Sequence, residues 1–227
     1  GESASPPEPT TEPQPAPKVE TRTLHELGAV TDDGKLTAVG RKLTALPTDP
    51  RIGRMLIAGC DANCLAEVLI IASALEIQDP RVRPPEEQNK ADAAHEQFDD
   101  PRSDFLSLVK LWDFYHQLKQ KLSHRKLQLA CRENYLSLQR LREWAEVHRQ
   151  LAQLLRESDV RMGTRGDLGD EQRVSAVHQA LLTGLLSHVA MKTATYEYDG
   201  ASGKKLMLWP GSGQFDRKPL WIMSAEQ

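Results

Sequence analysis

Positive charge is unevenly spread along this 227-residue chain. Between Lys110 and Arg149 stand nine Lys and Arg against four Asp and Glu, with His116, His124 and His148 among them. Cations at that density can neutralise phosphates and track a strand, so the stretch reads as one wall of a nucleic-acid channel. It reads equally as the solvated outer faces of long helices. A second basic group, Lys192, Lys204, Lys205, Arg217 and Lys218, surrounds the turn sequence Trp209-Pro210-Gly211-Ser212-Gly213. Trp209 offers a face for base stacking, although a tryptophan in such a place more commonly fills a barrel core. Cys60 and Cys64 lie one helical turn apart. No Cys or His pair follows them at finger-like spacing, so they read as buried free thiols rather than metal ligands.

Other chemistry is missing from the sequence. There is no GxxxxGK[ST] phosphate loop and no DExH run, and Gly203-Lys204-Lys205 lacks the upstream glycine such a loop needs. None of the seven histidines joins a serine or cysteine in a nucleophile motif. The chain by itself is therefore expected to have no catalytic residues and to hydrolyse no nucleotide.

The elements that must position these groups can be read from spacing. Ala38 to Leu46 predicts a helix with Val39, Leu43 and Leu46 on one face, stopped by Pro47. Asp49 then caps a new helix that opens on Pro50 and buries Ile52, Met55 and Leu56. Asn63 is expected to cap CLAEVLIIASALEI, which is apolar almost all round and so belongs at the centre of a bundle. Residues 78–102 form a long acidic connector, with a short helix expected near 89–98. Ser103 or Asp104 caps a helix whose inward face is Phe105, Leu108, Val109, Trp112 and Tyr115. One further helix is expected from about Leu127 or Arg132 to Arg156, with Tyr135, Leu138, Leu141, Val147, Leu151 and Leu154 inward.

Downstream, MGTRGDLGD reads as a Gly-rich linker and 174–187 as an amphipathic helix. The period then changes to that of strands at 189–198, 204–209 and 220–224, with turns at Asp199-Gly200 and Pro210–Gly213. Upstream, residues 1–20 hold six prolines and four glutamates, too little apolar surface to order, and read as a disordered or polyproline-like linker. A PxxP ligand is the alternative there. The net charge of −3 gives no general sign of a nucleic-acid binder. Three cysteines are an odd, sparse set that fits a cytoplasmic protein. No apolar run reaches the length of a membrane span, and the glycine at position 1 suggests a piece of a longer chain.

The run LHELGAVTDDGKLTAVGRKLTALPTDPRIGRML resembles the junction in DEAH-box ATP-dependent RNA helicases where a winged helix passes into the helicase-associated bundle. ALEIQDPRVRPPEEQ, SDFLSLVKLWDFY, LREWAEVHRQL, HQALLTGLLSHVAMK and WPGSGQFDRKPLWIMSAE continue the resemblance, most closely to the bacterial HrpA-type branch. It covers about residues 24–227. It implies a mainly α fold. A partial winged helix spans 21–48, a helical bundle 49–160, and a linker, helix and truncated OB-like β-barrel 161–227. It implies single-stranded RNA as a partner, together with RecA-like motor domains of the same parent that hold ATP and magnesium. The RNA-contacting residues it points to are Lys121, Arg125, Lys126, Arg132 and Arg140 on the helices and Lys192, Ser212, Arg217 and Lys218 around the turn. The alternative is a structural or protein-docking module that never touches RNA.

Overall fold

The computed structural model describes residues 21–158 and 160–225. The expectations for the Pro-rich head, 1–20, lie outside these residues. The chain begins with α1 (Thr21–Glu26), a tight excursion, and α2 (Ala38–Thr44). The expected wing strand reduces to one bridge, Val30 to Leu36. Thr37 closes the turn by donating its hydroxyl to the Gly28 carbonyl at 2.6 Å, and its oxygen caps α2 at Gly40. The corner after α2 forms as its sequence dictates: Asp49 accepts from the Arg51 amide at 2.8 Å and Pro50 opens α3 (Pro50–Asp61).

Asn63 does not cap the next helix. It takes a left-handed φ of +53°, closing α3, and Cys64 stands at the head of α4 (Leu65–Leu75) with no side-chain cap. Asparagine tolerates that conformation better than most residues, and here the turn uses it. Helix α4 is buried on every side and packs against α3, against α6 (Asp104–Lys121), α8 (Leu138–Glu157) and α9 (Glu171–Leu182). Leu65, Val68, Leu69, Ile70 and Ile71 contribute about 1.5–3 kcal/mol each by leaving water. Trp144 of α8 fixes the register of this packing by donating its indole N–H to Ile70 O and Ser73 Oγ, both at 3.0 Å.

The acidic connector wraps a surface. It contains α5 (Gln88–His95), and its start pairs with the α7–α8 junction: Val82 N to Tyr135 O and Ser137 N to Pro80 O, both 2.8 Å. That pairing explains why the expected single helix is two, α7 (His124–Glu133) and α8. The chain turns at Tyr135, at φ +52°, so Tyr135 is half-buried at the break rather than inward on a helix. In α6, Val109, Trp112 and Tyr115 are buried as expected, joined by Leu106 and Leu111, while Phe105 and Leu108 are only half-buried. Ser103 caps α6 by accepting from the Phe105 amide.

The segment read as a linker, 162–170, is tied down by a buried charge. Glu67 of α4 is fully buried and accepts from Gly166 N at 2.6 Å and from the Arg173 guanidinium at 2.8–3.1 Å. Arg173 also donates to the carbonyls of Asn63 and Thr164, and Arg165 pairs with Asp113. Just past the end of α9 comes Gly184, where a Cβ would fall 2.5 Å from the Arg51 carbonyl. Only glycine lets the chain pass α3 so closely.

The C-terminal sheet has four strands where three were expected: β1 (Val189–Lys192), β2 (Glu197–Gly200), β3 (Lys205–Met207) and β4 (Trp221–Met223). The first expected strand is a hairpin, because polar Thr193 bonds back to Glu197 and turns the chain. Asp199 and Gly200 are strand residues paired to Met191 and Ala190, and the turn lies at 201–203, where Gly203 takes φ +74°. The strand order is β3-β2-β1-β4, all antiparallel. The sheet is open and does not close into a barrel, as a truncated one would be left, with β3 and β4 at its edges. No helix among the described residues is long and apolar enough to cross a membrane.

Candidate nucleic-acid interface

A cleft of about 1020 Å³ separates the bundle from the sheet. Its bundle wall is the end of α4, residues 77–81 and the first turns of α6, where half-buried Phe105 and Leu108 face it. Its other wall is β3, β4 and the connection between them. Cross-strand pairing puts Trp221, Met191, Asp199 and Lys205 in one row on one sheet face, because directly opposed residues share a face. Trp221 is 58 % exposed and Met207 is 75 % exposed. On the opposite face Ala190 and Tyr198 are buried. The 208–220 connection is held to the sheet by the Tyr198 hydroxyl, which donates to Pro219 O at 2.9 Å, and by stacking of Phe215 on Tyr196 with centroids 4.4 Å apart.

The residues singled out from sequence divide into two kinds. Lys121 ends α6, Arg125 and Lys126 lie in the first turn of α7, and Arg132 in its last. All four are exposed and, among the described residues, their side chains have no hydrogen-bond or carboxylate partner. The others are mostly engaged. Arg140 donates to the Asp79 carbonyl at 2.8 Å. Lys192 donates to Lys218 O at 3.1 Å, and the Lys218 ammonium sits 4.6 Å from the centre of the Tyr196 ring, on a backbone at φ +46°. Arg217 is exposed. Ser212 donates its hydroxyl to Asp104 at 2.6 Å.

Trp209 is 65 % exposed and fills no barrel core. Sequence reasoning did not pick out Trp221, Met207, Arg81 or Arg83. The signal for the first two was strand alternation, which puts 221 and 223 on the face opposite 222. Arg81 pairs with Asp79 and Arg83 with Asp92, so the acidic connector supplies both partners. Burial works against the Arg81 cation, but its bond to Asp79 outweighs that, and Asp104 and Asp99 add to the pull. The cleft offers flat aromatic faces and an apolar floor, while the four free cations stand apart from it, at the far end of α6 and on α7.

Residues 21–48 match the winged-helix part of the helicase associated domain (HA2), and residues 49–108 match its ratchet-like part. The chain is 42 % identical over 211 residues to ATP-dependent RNA helicase HrpA of Escherichia coli strain K12, which covers 90 % of this chain and 16 % of that protein. It is 36 % identical over 211 residues to the HrpA homolog of Haemophilus influenzae Rd, over 89 % of this chain and 16 % of the relative. It is also 38 % identical over 132 residues to the putative ATP-dependent RNA helicase DHX57 of Mus musculus, 58 % of this chain and 9 % of that protein. The chain thus spans about a sixth of the length of the first two.

Proposed function

Residues 21–108 are a helicase associated domain of the kind HrpA-like RNA helicases carry, and from that premise we propose that the chain holds and guides single-stranded RNA for a motor. The RecA-like motor domains of the parent would bind ATP and magnesium, and this chain would set the path of the strand leaving them. Lys121, Arg125, Lys126 and Arg132 would neutralise phosphates, while Trp209 and Trp221 would stack on bases. The observation that carries the reading is the cationic corner of α6 and α7, whose charges are left unspent in a protein that pairs many of its others internally. With Cys60, Cys64 and Cys131 all free, the reducing cytoplasm is the setting we assign.

The test is fluorescence anisotropy of a labelled single-stranded RNA over a salt series. Binding is expected at low salt, weakening as salt rises, and Arg125→Glu with Lys126→Glu is expected to weaken it further and flatten the slope. Undetectable binding at low salt would overturn the reading. The protein-docking module would then stand, favoured by the exposed Met207, Leu220 and Trp221.

A further inference from the structure

The turn Trp209-Pro210-Gly211-Ser212-Gly213 reaches back to the bundle, and one carboxylate receives it. Asp104, the first residue of α6, accepts the Ser212 hydroxyl on Oδ2 at 2.6 Å and the Gly213 amide on Oδ1 at 2.8 Å. The Ser212 oxygen in turn accepts from the Gln214 amide at 3.1 Å, and Gln214 donates from its side chain to Pro101 O at 3.2 Å. Two donors from adjacent residues therefore converge on the two oxygens of one anion. A Cβ at Gly213 would lie 3.2 Å from Asp104 Oδ1, so the approach tolerates little more than a hydrogen. Two guanidinium groups flank the spot. Arg81 lines the same cleft as Asp104 and Ser212, and a terminal nitrogen of Arg83 lies 3.2 Å from where a Cβ of Gly211 would be.

A phosphodiester presents the same features as this carboxylate: one negative charge and two oxygens able to take an O–H and an N–H. We infer that Asp104 occupies an RNA phosphate site from within, so that the protein is held by its own carboxylate in a self-blocked state. The inference rests on the RNA reading and specifies how that site is regulated. Trp209, exposed beside the turn, is placed to stack the base of the same nucleotide. RNA enters by exchanging its phosphate for the Asp104 carboxylate on Ser212 and Gly213, without any covalent change. Because the carboxylate is tethered, it competes at a high effective concentration, and a strand gains this site only when the connection 208–220 parts from α6. A merely structural tie makes the opposite prediction for the loss of Asp104: a looser turn and weaker or unaltered binding.

A double-mutant cycle read by RNA anisotropy separates these outcomes. Asp104→Ala is expected to raise affinity about threefold to tenfold and to steepen the log–log salt slope by about 0.7, the share of one single-strand phosphate. Ser212→Ala removes the hydroxyl that the carboxylate and the phosphate would both take, and it is expected to abolish the gain in the Asp104→Ala background. Should the alanine variant fail to give a cooperative melt, Asp104→Asn carries the same test, with a smaller gain expected because the amide keeps one acceptor. If wild type binds RNA and the Asp104 variants bind no better, the self-blocking idea falls and the RNA reading stands. If neither wild type nor the Asp104 variants bind, both fall.

Discussion

The bundle and the sheet are held by different physics. At the centre of the bundle, α4 shows water almost nothing, and its neighbours α3, α6, α8 and α9 each bury apolar faces on it. The sheet, by contrast, leaves Met207, Trp221 and the adjoining Trp209 and Leu220 outward, and β3 and β4 are its open edges. What secures the sheet's long connection is a handful of polar and aromatic contacts: Ser212 and Gly213 to Asp104, Tyr198 to Pro219, Phe215 on Tyr196. Each net hydrogen bond stabilises by only about 0.5–1.5 kcal/mol. The bundle is therefore a rigid base, while the sheet's ties are weak enough to be exchanged for a ligand's.

Substitutions can break or sharpen that contrast. The largest effect belongs to the bundle centre. Leu69 is fully buried, and Leu69→Asp is expected to remove at least about 4 kcal/mol and with it the cooperative urea transition. A soluble variant melting cooperatively near the wild-type midpoint would refute the placement of α4. Next comes the ion pair. Glu67→Ala leaves the mostly buried Arg173 without its carboxylate and is expected to cost about 3–5 kcal/mol, measured by the same titration.

The third effect depends on pH. The Trp112 ring lies 4.1 Å from His116 and 4.6 Å from His148, and burial, reinforced by His116, pushes His148 down to about 4 from the ordinary 6.5. Its folded value is depressed, so the native state favours the neutral ring. That contribution is complete above about pH 6.5 and is lost as pH falls toward 4, on the order of 2 kcal/mol after allowing for partial solvent contact. Urea melts at neutral and mildly acidic pH should show the decline, and His148→Gln should shrink it. The smallest effect on stability belongs to the sheet: Trp221→Ala should shift it by no more than about 0.5 kcal/mol, yet weaken RNA binding by about 1–3 kcal/mol. A large stability loss there would erase the distinction between the two regions.

Much of the base was legible in the sequence, and less of the sheet. An apolar run without a polar face can only be central, so α4 declared itself. The Asp49-Pro50 corner is local chemistry and formed as read. The α7–α8 break was hidden because hydrophobic spacing continues across it; the turn at Tyr135 is imposed by residues 80–82, more than fifty positions earlier. The β1–β2 hairpin was hidden because its turn carries threonines rather than Asn-Gly or Asp-Gly. At the site, the four exposed cations of α6 and α7 could be found by counting charge. The engagement of Ser212 by Asp104 could not, since 108 positions separate them and nothing local marks the pairing. Glu67 did leave a trace: a lone carboxylate inside an otherwise apolar helix requires a counter-charge somewhere.

That requirement constrains anyone trimming the molecule. A version ended after α8 would keep Glu67 but discard Gly166 and Arg173, stranding an anion in a dry interior with nothing to answer it. Shortened forms must carry the chain through at least Arg173, or replace Glu67 with a neutral residue of similar size before the cut is made.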